Sequence, residues 1–223
     1  MSIKPRAVRG RPLLSQAKIV DKALALLQKI PLKEVTMRRL AQELDTTPAA
    51  LYAYIKNQQD LFNAVTERVI SGIDLRDLDH ETDWREMLRK WARAVRERQL
   101  QFPHVTTIVQ VNPHTPVAWF EITEPQLRAL QMAGLSGYAL MDTSRCFSRV
   151  VLGSILNEIM LEATMIRLER EDADAALEHL SPRGRAAIEN LLPYLGDQDN
   201  DALFEFTINC VIRGIESALS SEH

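Results

Sequence analysis

The sequence predicts an all-α chain: a small N-terminal three-helix domain followed by a larger helical domain. Three observations carry that expectation. Apolar residues recur at spacings of three and four along nearly the whole chain, no segment alternates as a strand would, and capping residues stand where helices must begin.

The elements follow in order. Ser15 caps a first helix in which Ile19, Ala23, Leu26, Leu27 and Ile30 share a face, and Pro31 stops it. Thr36 caps a second helix with Leu40, Ala41 and Leu44 inward. Thr47 followed by Pro48 reads as an N-cap and a first-turn proline, so ELDTT is a tight turn and PAALYAYI a third helix. Asn57, with Asp60 three residues on, caps a fourth helix that runs through Leu61 and Val65 to Ile70. Residues 72–80 form a connector. Asp83 and Glu86 then open a long helix over Trp84–Gln101, striped by Trp84, Leu88, Trp91, Val95 and Arg98. Pro103, Pro113, Pro116 and Pro125 are expected to break residues 102–125 into short pieces. Helical spacing resumes at Gln126–Ala133, turns at Gly134 and Gly137, and continues over Leu140–Leu168. Ser181 and Pro182 start a shorter helix, and a last one spans Ala202–Leu219.

Composition narrows the function classes. A 223-residue chain that is 46% hydrophobic and 26% charged is that of a soluble globular protein of one or two domains. No stretch reaches the roughly 18 apolar residues of a membrane span, and Met1–Leu14 lacks the apolar core of a signal peptide, so the expected location is cytoplasmic, with no membrane partner. Cys146 and Cys210 have neither CxxC nor His-rich spacing around them, so no metal and no cofactor is expected. The net charge of −3 hides an asymmetry: residues 1–60 hold 11 Lys/Arg against 5 Asp/Glu, and the remainder is acidic. A basic end on an acidic body suits a chain that brings one end to a polyanion, because phosphate neutralisation supplies most non-specific nucleic-acid affinity.

Two short helices joined by a tight turn, backed by another, make a helix-turn-helix, whose second helix is narrow enough for a major groove. Leu51 and Ile55 are placed to pack on Leu40 and Leu44, leaving Pro48, Ala49, Ala50, Tyr52, Ala53 and Tyr54 around the outer faces. Ala49 or Ala50 would touch a thymine methyl, Thr47 would donate to a base edge or phosphate, and the tyrosyl hydroxyls and Lys56 suit the phosphate backbone. The basic segment KPRAVRGRP, with Arg6, Arg9 and Arg11, would serve as an arm reaching a groove. The organisation expected is an arm over 1–14, the helix-turn-helix over 15–72 and a helical body over 80–223.

That order, a basic arm, then IVDKALALLQKIPLKEVT, then TMRRLAQELDTTPAALYAYIKNQQDL, resembles the DNA-binding domain of the tetracycline-repressor (TetR) family of bacterial regulators. The match covers residues 10–70 well and the remainder only in helical layout. The resemblance implies that Thr36 and Arg38 contact DNA from the second helix. It puts Thr47, Pro48, Ala49, Ala50, Tyr52 and Tyr54 on the recognition helix and Lys56 on phosphate. It also implies that the body binds a small-molecule effector and pairs with a second copy. Two residues depart from the family pattern. Asp45 stands where the turn commonly has Gly and must tolerate a left-handed backbone, and Gln58 replaces a frequent lysine at the start of the fourth helix.

Dimerisation has independent support in the pattern. Phe204, Ile208, Val211, Ile215 and Ala218 repeat at four, three, four and three, widened by Leu203, Ile212 and Leu219. The long helix through Val150, Val151, Ile155 and Ile159 is similarly broad. These two helices, doubled by symmetry, would make a four-helix interface. Trp91, Val95, Ile108, Phe147 and Val151 are expected to line an effector cavity, with His104 or His114 as a polar handle. In the founding family member a magnesium ion held by His and Glu secures the drug. Counted without gaps, those places fall near Val109 and on Asn157, which disfavours a tetracycline-magnesium ligand and favours an apolar or aromatic one.

The whole reading is a ligand-responsive homodimeric repressor on a pseudo-palindromic double-stranded operator. One alternative is a dimeric helix-turn-helix protein with no effector. Another is a small-molecule enzyme that recruits His104 and His114 with Glu121 or Glu124, although no HExxH, glycine-rich phosphate loop or nucleophile elbow is present.

Overall fold

The computed structural model describes residues 14–105, 117–164, 177, 179–190, 192–194 and 199–221. Among them the α-helices are α1 (Gln16–Leu27), α2 (Met37–Glu43), α3 (Pro48–Tyr52), α4 (Gln58–Ile70), α5 (Trp84–Gln101), α6 (Val117–Met132), α7 (Gly137–Thr164), α8 (Pro182–Glu189) and α9 (Asn200–Ser221), with no strand. Short 3-10 turns occupy Leu32–Glu34, Arg76–Leu78 and Leu192–Tyr194.

Helix starts follow from local chemistry. Ser15, Thr36, Thr47, Asn57 and Ser181 each sit in extended backbone and accept, through the side-chain oxygen, the N–H three residues ahead. The tightest is Asp60 N–H to Asn57 Oδ1 at 2.8 Å. Two helix ends share another device. After α2, Thr46 donates to Ala41 O and Asp45 to Gln42 O; after α6, Leu135 donates to Leu130 O and Gly134 to Gln131 O. Both are Schellman closures, which need a left-handed residue just past the helix. Gly134 supplies it at φ 99° and Asp45 at φ 50°, so Asp45 does adopt the conformation that its position demands.

One expectation fails. Pro125 does not end a piece of chain but lies inside α6. A proline in a helix cannot donate and its ring crowds the preceding turn, which loosens carbonyls there. In that preceding turn, Ile122 O also accepts from outside the helix: the buried Trp91 indole N–H donates to it at 2.5 Å.

The chain divides into two compact units, residues 1–72 with 101–120 and residues 73–100 with 121–223. The division therefore assigns 101–120 to the first unit rather than to the body, because Phe102 and Val105 join the buried cluster of Ile19, Leu27, Leu40, Leu51 and Leu61. The second unit is built on α7 against α9, with the buried faces of α5 and the main part of α6.

Candidate nucleic-acid interface

In the first unit, α2 and α3 are short because each is closed at both ends within two turns. Leu51 is fully buried and Ile55 nearly so, which fixes α3 on the core; burying one such leucine contributes about 2 kcal/mol. Everything else on that segment faces outward. Thr47, Pro48 and Ala49 are exposed, Ala50 is half-buried, Tyr52 and Tyr54 are 50% and 44% exposed, and Lys56 is exposed. On α2, Thr36 and Arg38 are exposed as well.

The third helix is shorter than the eight residues expected. It ends at Tyr52 with Ala53 as C-cap, so Tyr54 stands in the turn beyond rather than on the helix. The cause is α4: its N-cap Asn57 needs extended backbone, at φ −160°, and the chain must leave the helix first. Arg9 and Arg11 lie outside the described residues, as do Ile108, Val109 and His114.

Both threonines have a double capacity. Thr36 Oγ1 accepts from Arg39 N–H at 3.2 Å and Thr47 Oγ1 from Ala50 N–H at 3.3 Å, so each oxygen caps its helix while a hydroxyl also has a proton to donate. The N-termini of α2 and α3 add partial positive charge, which favours phosphate. Gln58 has a role that its sequence position did not reveal. Its side-chain amide donates to Val35 O at 3.0 Å, tying the start of α4 to the residue before Thr36. A lysine there would reach for phosphate; glutamine fastens the frame instead.

In the second unit, Trp91, Val95, Phe147 and Val151, expected to line a cavity, are core residues. All four are fully buried, and the Trp91 and Phe147 rings meet at 5.9 Å between centroids. His104 belongs to the first unit. Sequence reasoning missed a buried polar set in this core: Gln126 donates to Ser144 O at 3.0 Å and accepts from Ser148 Oγ at 3.1 Å. The side chains sit at helical spacing, but nothing local marks them as mutual partners.

Much of the two stripes expected to face a second copy is buried within the single chain. Ile155, Ile159, Phe204, Ile208 and Ile215 are buried within the single chain, and Val150 and Val211 are half-buried. The periodicity was real, but α7 and α9 spend it on each other and on α5. What they leave outward is Leu203 at 56% and Phe206 at 65% exposed on α9, Met160 on α7, and Cys146, Gly153, Cys210 and Gly214. A groove of about 500 Å³ lies between the helices, lined by Val150, Ser154, Asn157, Glu158, Leu203 and Phe204 among others.

A row of arginines on α5 clamps α9. Arg85 pairs with Glu216, Arg89 donates to Asn209 at 2.9 Å, and Arg93 grips Glu205 at 2.6 and 2.8 Å. Arg96 binds Glu158 on α7 at 2.9 and 2.8 Å and Asp201 on α9 at 2.7 Å. The Arg93 hydrogen bonds hold the Glu205 carboxyl below the usual range, and Glu158 most of all raises the guanidinium of Arg96. Among the described residues, no group of three His, Cys, Asp or Glu is placed to hold a metal ion, and no helix is long and apolar enough to cross a membrane.

Comparison with known proteins agrees with this layout. Residues 19–65 match the family described as bacterial regulatory proteins, tetR family, and residues 78–219 match the tetracyclin repressor-like C-terminal domain. The chain is similar to the class G tetracycline repressor protein of Vibrio anguillarum, at 26% identity over 91% of this chain and 94% of that one. It is 30% identical to the class E protein of Escherichia coli, over 65% of this chain and 69% of the other. Among solved structures, ActR of Streptomyces coelicolor in complex with actinorhodin superposes with a TM-score of 0.78 at 23% identity, covering 93% of this chain and 99% of that one.

Proposed function

The chain belongs to the TetR family of bacterial transcriptional regulators, and from that premise we propose that it is a repressor that binds a pseudo-palindromic operator as a homodimer and lets go when an effector occupies the second unit. The observation that carries the DNA-reading part is α3: opened by Thr47 and Pro48, anchored by a buried Leu51, and otherwise turned outward. A short helix of this kind enters a major groove with its small residues against base edges and its hydroxyls on phosphate. Thr36 and Arg38 add contacts from α2, Tyr54 and Lys56 contact the backbone just after α3, and Arg9 and Arg11 extend the electrostatic footprint.

The second copy seats on the outward face of α7 and α9, where Leu203, Phe206 and Met160 are exposed apolar side chains flanking small residues. Two readers related by a twofold axis then require an operator with matching symmetry. The effector reading is supported by the solved complex of the similar ActR with actinorhodin and by the aromatic, apolar core around Trp91 and Phe147. The effector is a mainly apolar or aromatic small molecule.

Selection of bound duplexes from a random library, with the full-length protein at several salt concentrations, tests the reading. The expected result is one symmetric motif whose affinity falls steeply with salt. Enrichment of no sequence, or of an asymmetric one, overturns it. On the selected duplex, Arg38→Ala and Tyr52→Phe weaken binding without loss of fold, because both side chains are exposed.

A further inference from the structure

The two cysteines of the chain, Cys146 on α7 and Cys210 on α9, are both free and exposed. They belong to the groove between those helices. Val150 and Asn157 form part of one wall of the groove, and Leu203 and Thr207 part of the other. Cys146 lies four residues before Val150 and eleven before Asn157, which at about 100° per residue puts all three on one stripe of α7. Cys210 lies three residues after Thr207 and seven after Leu203, on the matching stripe of α9. Each wall therefore continues, beyond the groove, into a thiol.

The two thiols stand at the same end because α7 and α9 run in opposite directions, and the arginines of α5 show it. Arg96 holds Glu158 on α7 and Asp201 on α9, which sets those two residues level. Nearer the start of α5, Arg89 and Arg93 reach Asn209 and Glu205 on α9, while Trp91 between them meets Phe147 on α7. Numbers thus rise along α9 as they fall along α7. From the level of Glu158 and Asp201, Cys146 is twelve residues away, about 18 Å, and Cys210 is nine, about 14 Å, so the thiols are level to within a helical turn. Packed helices have axes about 8–10 Å apart and Cα atoms about 2.3 Å from the axis, so stripes that flank a shared seam bring level Cα atoms to about 6–7 Å. That is close to the upper span of a disulfide, about 6.8 Å, and a slide of less than a turn closes the bridge.

We propose that Cys146 and Cys210 are a redox-active pair that closes a reversible disulfide across the α7–α9 seam within one chain. The oxidant is a low-molecular-weight disulfide. Arg149 and Arg213, each three residues beyond its cysteine and exposed, add positive charge that favours an oxidant bearing carboxylates. One cysteine sulfur attacks the small disulfide, forming a mixed disulfide and releasing the first small thiol. The second cysteine then attacks the protein-bound sulfur, the mixed S–S bond breaks and the second small thiol leaves. Two electrons and two protons pass from the protein to the small disulfide, which ends as two thiols; excess thiol reverses both steps. The bridge ties together the two helices that the second copy is proposed to meet, but its formation does not depend on that pairing.

The experiment treats the full-length protein with oxidised glutathione, quenches free thiols by alkylation and maps peptides by mass spectrometry without reduction, in wild type, Cys146→Ser and Cys210→Ser. At about 1 µM chain, a thiol on the neighbouring helix counts as an effective concentration on the order of 1 mM, so bridging within the chain exceeds bridging between chains by about 1000-fold. Wild type loses two hydrogens and yields one linked peptide pair, Cys146 with Cys210, that excess thiol restores. Each serine variant stops at a mixed disulfide carrying one glutathione. Glutathione retained on both cysteines of wild type, a covalent dimer as the main product at that dilution, or two thiols still open to alkylation overturns the proposal. No duplex is present in any arm, so none of these results bears on the regulator reading, whose failure shows only in the selection experiment.

Discussion

Replacing Arg96 by methionine tests how α5, α7 and α9 are held together. The guanidinium gives two hydrogen bonds to Glu158 and one to Asp201, and it stacks 4.9 Å from the centre of the Phe204 ring. Glu158 decides the magnitude, because its side chain is only 8% exposed and, without Arg96, a buried carboxylate loses the partner that neutralises it. Removing one member of such a pair costs about 3–5 kcal/mol. Asp201 is 83% exposed and adds less than about 1 kcal/mol. Methionine keeps most of the aliphatic packing on Phe204, which puts the expected loss at the lower end, about 3 kcal/mol. Glu158→Leu alone leaves the arginine with the exposed Asp201 as its remaining carboxylate and costs less than Arg96→Met, whereas the double variant Arg96→Met/Glu158→Leu returns to within about 1 kcal/mol of wild type. Urea unfolding followed by circular dichroism, at one fixed protein concentration because dimerisation would contribute, gives all four corners of the cycle. An Arg96→Met variant as stable as wild type, or a double variant no better than the single ones, would refute the view that the pair is buried and mutually dependent.

Other outcomes follow from the same geometry. Asp45→Val forces a β-branched residue into the left-handed position at φ 50° and lowers the unfolding free energy by about 1–2 kcal/mol in thermal or urea titration. Gln58→Ala removes the bond to Val35 O and weakens binding of the selected duplex by about fivefold, read by fluorescence anisotropy, while leaving the slope of affinity against salt unchanged, because no phosphate contact is lost. Thr47→Ser keeps the cap on α3 and preserves stability, whereas Thr47→Ala loses about 1 kcal/mol in the melting curve. For Glu205 the sign is that of a depressed carboxyl: its contribution is fully present above the ordinary value of 4.5 and disappears as pH falls through its lower folded value. Glu205→Gln therefore flattens the acid limb of the stability profile below pH 4.5, and an unchanged limb would show that the Arg93 pair does not matter.

What the sequence revealed and what it concealed divide by distance along the chain. Helix starts were legible because a cap is a conversation between residues three apart: Ser15, Thr36, Thr47, Asn57 and Ser181 all cap as their neighbours require. The left-handed Asp45 was expected from the family resemblance instead, since Gly is common at that place in the turn. The outward face of α3 was readable once Leu51 and Ile55 were recognised as its anchors. Long-range choices were not. A stripe at spacings of four and three says that a helix buries one side, not against which chain, so Phe204, Ile208 and Ile215 pack inside the protein when they had been assigned to a partner. Pro125 read as a break because the residue that takes up a carbonyl near it, Trp91, lies 31 positions from Ile122. Gln126, Ser144 and Ser148 appear polar and exposed on any hydropathy scale until the fold brings them together.

The packing of the second unit constrains how any effector could act. A void wide enough for water beside Trp91, Val95, Phe147 or Val151 would leave part of their surface uncovered, and none of the four has any. A ligand taken up among them must therefore find them rearranged, in a conformer other than this one. If that open conformer is populated at about 1%, the apparent affinity is about 100-fold weaker than the intrinsic one. The same requirement makes binding a signal, because a ligand that fitted the closed core equally well would shift nothing, however tightly it bound. Trp91 is the side chain where this bears hardest: its ring fills the core against Phe147, and its N–H holds Ile122 O on the proline-containing helix. Moving the ring to admit a ligand releases that carbonyl within the same helix. Trp91→Phe would keep most of the packing and lose the bond, so it should loosen α6 around Ile122, seen as faster amide exchange there, without creating a large cavity. Unchanged exchange in that variant would mean that α6 does not depend on the tryptophan, and that the core can open without α6 responding.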